Sequence, residues 1–199
     1  EPVEPSLANL FQRAAYAWRE LPIPVICAMQ GITYGGGLQI ALGADFRYVE
    51  PDSSLSIMEG KWGLIPDMGG TLALRELTRR DQAMLLTLSA QEFTGSRALE
   101  LGLATAVHDK PLEAALSAAA QLAERSPDAV AAVKRLYRKS WNRGPGSTLA
   151  RETAYQIRVL TGKNQRIAVR RQMGDPAEFE PPARWYFARL RPDRDQPGQ

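Results

Sequence analysis

Three consecutive glycines, Gly35, Gly36 and Gly37, stand between a short apolar run and the segment LQIALGAD. Glycines at a strand-to-helix turn let the backbone approach a ligand closely, and they aim free N–H groups and the positive end of the helix at it. The natural guest is a negative oxygen. The same turn also serves as a tight packing element, and glycine spacing alone does not separate the two. It matches neither GxGxxG nor GxxxxGK[ST], which argues against a nucleotide-binding loop. A second loop, MEGKWGLIPDMGGT, carries Glu59 and Asp67 around Gly63 and Pro66. A carboxylate that follows an apolar strand into a glycine turn is a candidate general base, and equally a loop acid that caps nearby N–H groups.

The elements that must position these groups follow from the pattern of apolar residues. Ser6 to Glu20 has apolar residues at spacings of three and four, which predicts a helix capped by Ser6 and stopped before Pro22. The run VICAMQ after Pro24 suits a buried strand, LQIALGAD a two-turn helix ending near Gly43, and Phe46 to Val49 and Ser54 to Met58 two more strands. Beyond Gly70 the texture becomes helical, over Thr71 to Thr78 and Asp81 to Leu88. Thr94 or Ser96 opens a short helix closed at Gly102, and Ala104 to His108 reads as an edge strand. Leu112 to Arg125 and Pro127 to Trp141 are strong helical patterns, the second capped by Ser126, and Gly144 to Gly146 break the chain before a helix from Ser147 to about Thr161. The tail beyond Met173, rich in Pro, Arg and Asp, is expected to be partly disordered at its end. The result is an α/β core over residues 1–110 followed by a helical region over residues 111–199.

Composition narrows the classes. A hydrophobic fraction of 44% with 24% charged residues excludes wholesale disorder, and a net charge of +3 calls for neither a nucleic acid nor an anionic membrane. The single cysteine, Cys27, excludes an internal disulfide, reads as core, and fits a reducing cytoplasm. Apolar runs are too short for a bilayer span, and no basic-then-apolar leader opens the sequence. The only histidine, His108, lacks a GxSxG elbow to work with, so it is expected to be structural or solvated. The run KRLYRK over Lys134 to Lys139 reads as a solvated helix face.

Taken together, two blocks are specific. PIPVICAMQGITYGGGLQIALGADFRYVEPDSSLSIMEGKWGLIPDMGGT, from Pro22 to Thr71, and FTGSRALELGLATAVHD, from Phe93 to Asp109, strongly resemble the crotonase family of enoyl-CoA hydratases and isomerases. The resemblance runs from Leu7 to about Met173. It implies a crotonase-like α/β spiral of ββα units with a C-terminal helical region, assembled as a homotrimer or hexamer, acting on acyl-CoA thioesters in the cytoplasm. No cofactor is implied beyond the coenzyme A of the substrate, and no metal. The family's oxyanion hole, two backbone N–H groups that hold the thioester oxygen as it takes on enolate charge, maps its second donor onto Gly36. Gly35, Trp62 and Pro66 then fall around the substrate.

Two departures qualify the match. Hydratases of the family carry two glutamates; the first of those positions is Gln39 here and the second is Glu59. A neutral amide orients water or a carbonyl but does not take up a proton near neutral pH. Glu59 is therefore the expected principal base, with Asp67, at a position where dienoyl-CoA isomerases of the family carry an aspartate, as a second proton carrier. Hydration and isomerisation both stay open. Second, the family's first oxyanion donor lies on an opening segment ahead of the helix near Ser6, and this sequence opens on Glu1 instead of Met. The core is thus expected to be incomplete at its amino end. The competing class is a catalytically silent acyl-CoA binder or assembly partner of the same fold.

Overall fold

The computed structural model of the chain describes residues 8–183. These residues divide into two compact units, one built from residues 8–20 and 24–120, the other from residues 21–23 and 121–183. The cap expected at Ser6 lies outside the described residues. Helix α1, Leu10–Glu20, is opened instead by Asn9. Asn9 Oδ1 accepts from the Gln12 amide at 2.9 Å while Gln12 Oε1 accepts from the Asn9 amide at 3.0 Å, a reciprocal capping box.

In the first unit, six short strands form two sheets. Strands β1 (Ile26–Met29), β3 (Phe46–Val49) and β6 (Ala106–Val107) are all parallel, in that spatial order. Strands β2 (Ile32–Tyr34), β4 (Ser54–Ser56) and β5 (Phe93–Thr94) make the second sheet, with β2 and β4 parallel and β5 antiparallel to β4. The chain crosses from one sheet to the other and returns through helix α2, Gly36–Leu42, so the unit is built of strand, strand and helix in succession. Helices α3 (Gly70–Leu77), α4 (Arg80–Ser89) and α5 (Gly95–Glu100) complete the layers, and α6 (Pro111–Ala123) runs across the division of the units.

One continuous core holds this unit together. Leu38, Leu42, Val49, Leu55, Ile57, Leu86 and Leu103 are all buried in it. The charged side chain of Arg47 is buried beside the β3–β6 pairing. Its Nε donates to Leu103 O at 2.8 Å and its Nη1 to Ala44 O at 2.5 Å, so backbone carbonyls take up the charge. Burial still pulls the Arg47 pKa below its ordinary value. Thr94 caps α5 as its sequence suggests, accepting from the Arg97 amide at 3.1 Å.

In the second unit, Ser126 caps α7, Pro127–Ser140, accepting from the Ala129 amide at 3.4 Å. Helices α8 (Pro145–Leu160) and α9 (Lys163–Gln172) follow, and Ala131, Ala132 and Val159 form a small core. Asp128 and Asn164, both buried, pin the segment after α9. Asn164 donates to Asp128 Oδ2 and to Glu180 O, each at 2.9 Å, and accepts from the Glu180 amide at 2.8 Å. Asp128 Oδ1 accepts from the Ala183 amide at 2.8 Å. The tail end expected to be disordered, residues 184–199, lies outside the described residues.

Several elements differ from the pattern reading. Strands β2 and β5 and helix α9 have no counterpart in it. The strand expected over Ser54 to Met58 stops at Ser56, where the chain tightens into a 3-10 helix over Met58–Trp62. That tightening turns Glu59 inward instead of continuing the alternation of a strand.

Candidate active site

The parallel pairing of β2 with β4 aligns Tyr34 with Ser56. The residues that leave these two strands therefore emerge side by side: Gly35 and Gly36 from one, Glu59 from the other. Gly35, at φ 51° and ψ −123°, adopts a conformation closed to most side chains, and its amide donates to Ser56 O at 3.0 Å. The Gln39 amide returns to Gly35 O at 3.0 Å as the first intrahelical bond of α2. Gly36 sits at the first helical position, where an N–H has no acceptor within its own helix, and its amide makes no backbone bond among the described residues.

Glu59 is buried, with 9% of its surface exposed. Its Oε1 accepts from Gln39 Nε2 at 2.6 Å. Its Oε2 is buried without a hydrogen-bond partner. A Cβ built on Gly35 would stand 3.5 Å from Glu59 Oε1, so the carboxylate lies against the glycine turn. An orphaned buried oxygen is costly, by about 1–3 kcal/mol or more for a charged group, and such atoms cluster where chemistry needs a reactive group.

Gln39 is a connector in this arrangement. Its Oε1 accepts from the Met68 amide at 2.9 Å and the Gly70 amide at 3.1 Å. Two main-chain donors on the oxygen settle which end of the amide faces Glu59: the nitrogen. The side chain thereby ties α2, the turn before α3 and the 3-10 helix together, and a Cβ on Gly70 would stand only 2.9 Å from its oxygen.

The structure thus brings Gly35, Gly36, Gln39 and Glu59 into one cluster. Asp67 is exposed and Pro66 half-buried on the turn that Gln39 holds through Met68 and Gly70, and Trp62, at the end of the 3-10 helix, is 76% exposed. None of those three contributes a hydrogen bond to the Gln39–Glu59 pair. Met68 belongs to the cluster although spacing gave it no role; only its place beside Asp67 could have drawn attention to it. Away from the cluster, the His108 ring stacks on Tyr48 with centroids 5.5 Å apart, and Cys27 packs against the core. Burial raises the Cys27 thiol pKa, opposed by the positive charge of Arg47. No helix among the described residues is long and apolar enough to cross a membrane.

Comparison with known proteins places these features in a lineage. Residues 5–171 match the family model described as enoyl-CoA hydratase/isomerase. Carnitinyl-CoA dehydratase of Salmonella typhi is 34% identical over 121 residues, 60% of this chain and 46% of that protein. The chain thus spans about half the length of the curated relatives it matches. Among solved structures, an enoyl-CoA hydratase from Polaromonas sp. JS666 superposes with a TM-score of 0.79 at 27% identity, covering 85% of this chain and 67% of that one. An enoyl-CoA hydratase from Mycobacterium tuberculosis H37Rv gives 0.74 at 30% identity, over 80% of this chain and 64% of that one. A Thermobifida fusca YX structure solved in complex with CoA gives 0.71 at 32% identity, over 75% and 59%. With the nested glycine turn, the inward carboxylate and a match along most of its length, the chain belongs to the enoyl-CoA hydratase/isomerase family.

Proposed function

We propose that the protein acts on an acyl-CoA thioester and adds water to, or shifts, a carbon–carbon double bond, using Glu59 as its principal proton carrier. The observation that carries this reading is the state of the Glu59 carboxylate: buried, held at one oxygen by a neutral amide, unpartnered at the other, and set against the Gly35–Gly36 turn. The Gly36 N–H is the proposed oxyanion donor. It faces the thioester oxygen as negative charge builds there, in the fixed orientation that favours an enolate over the ground-state carbonyl.

Both reactions can pass through one carboxyl. In hydration, Glu59 Oε2 takes a proton from water as the water oxygen bonds to C3, the enolate forms at the thioester, and the same carboxyl returns a proton to C2. In isomerisation of a 3-enoyl thioester, it takes the proton from C2 and delivers one to C4 of the dienolate. Neither step consumes an oxidant or reductant, so the only cofactor called for is the coenzyme A that the substrate carries. Asp67 is the candidate second proton carrier, and Trp62 and Pro66 the candidate acyl contacts. The names of the relatives, hydratases and a dehydratase, favour the hydration direction. Assembly as a homotrimer or hexamer and a cytoplasmic setting complete the reading and rest on the family resemblance.

The test is turnover of crotonyl-CoA and of a 3-enoyl-CoA, followed by absorbance. Glu59→Gln is expected to lower turnover by about 10²- to 10⁴-fold, and Asp67→Asn by less. Tight binding of the esters with no turnover of either would instead identify a silent binder.

A further inference from the structure

Met68 occupies the surface over Gly36. A Cβ built on Gly36 would stand 3.0 Å from Met68 Sδ and 4.0 Å from its Cε, so the thioether is packed against this glycine. Gly35, one residue earlier, carries the Glu59 carboxylate in the same way, with Oε1 3.5 Å from its Cβ position. Adjacent glycines therefore face a proton carrier and a soft apolar wall. The Met68 backbone is not free to retreat, because its amide is held by Gln39 Oε1 at 2.9 Å. Only the unbranched side chain can adjust, turning about its own bonds.

We propose that Met68 is a specificity-determining residue whose thioether limits the bulk on the carbon next to the thioester carbonyl, admitting unbranched acyl groups and excluding α-branched ones. The inference rests on the acyl-CoA reading above. An oxygen held at the Gly36 amide brings its neighbouring carbon onto the surface that Met68 covers. A linear chain leaves there a methylene, around which the thioether can rotate. A branched chain adds a methyl group at the place where the wall is anchored, and one misplaced methyl in a packed site costs about tenfold or more in affinity.

The measurement is calorimetric binding of butyryl-CoA and of 2-methylpropanoyl-CoA, which are saturated and do not turn over, to the full chain and to its Met68→Ala and Met68→Leu variants. The wild type is expected to bind the linear ester about tenfold or more tightly, Met68→Ala to bring the two within about threefold, and Met68→Leu to keep the preference. Binding of both esters with a ratio unmoved by Met68→Ala would overturn the role of Met68 and leave the acyl-CoA reading standing. No binding of either ester to the folded wild type would remove both.

Discussion

Gln39 Nε2 stands 2.6 Å from Glu59 Oε1 in a pair whose charge belongs entirely to residue 59. With its own oxygen committed to two backbone amides, Gln39 offers Glu59 a donor and no competing acid. One carboxylate oxygen is fixed, and the other is buried with no hydrogen-bond partner.

Removing that connector has a structural cost. Gln39→Ala strands the Met68 and Gly70 amides and Glu59 Oε1 together, so unfolding in urea is expected to show a loss of about 2–4 kcal/mol. Gln39→Glu keeps acceptors for the two amides but sets a second acid against Glu59. By the family resemblance it restores the pair of acids that hydratases carry, so turnover of crotonyl-CoA is expected to be kept or raised by up to about tenfold, and that of a 3-enoyl-CoA not raised. A loss of crotonyl-CoA turnover of about tenfold or more would show that Glu59 needs the neutral amide beside it.

Glycine replacements separate close approach from mere glycine content. A Cβ at Gly95 would fall 2.0 Å from Glu50 O, whereas one at Gly37 meets nothing within 4 Å. Gly95→Ala is expected to destabilise by about 2 kcal/mol or more, by forcing backbone to move. Gly37→Ala should change stability by no more than about 1 kcal/mol in either direction. Thermal unfolding of the two variants side by side decides it.

The Cys27 thiol gives a pH dependence with a definite sign. Its folded-state pKa is raised by burial, so its contribution to stability is fully present below the pKa of the unfolded thiol and is lost as pH rises through the folded-state value. Alkylation by iodoacetamide should accordingly reach half its maximal rate at a higher pH in the native chain than in urea. An equal or lower native midpoint contradicts the assignment of burial as the dominant cause.

Asn164 holds the segment after α9 by two hydrogen bonds to the backbone of Glu180, and a third joins it to Asp128 Oδ2. Asn164→Ala should release that segment and leave Asp128 Oδ2 short of a donor. A glutamate-specific protease is then expected to cut after Glu178 much faster than in the wild type, the bond after Glu180 being protected by Pro181.

Much of the first unit was legible because its signals are local. Strand β3 coincides with Phe46 to Val49, and the caps at Thr94 and Ser126 are side-chain-to-amide bonds across three residues, which a sequence displays directly. Strand β2 was not legible: three residues between Gly31 and Gly35 are too few to show a period, and Ile32 is 72% exposed. Helix α9, KNQRIAVRRQ, has almost no apolar face, and what holds its start is the buried Asn164, a tertiary contact. In the candidate site, residue types pointed to the Gly35–Gly37 turn and to Glu59 and Asp67, and the resemblance singled out Gly36 and Gln39. That Gln39 connects three elements, and that Met68 lies on Gly36, depends on distances between segments some thirty residues apart, which no local pattern encodes.

The ladder between β2 and β4 has a wider consequence for how such a molecule can change. Main-chain pairing, indifferent to side-chain identity, sets the separation between the glycine turn and the acid. Residue 59 can then be exchanged while the ladder that spaces it from the turn stays put, so new chemistry can be tried here without rebuilding the scaffold beneath it.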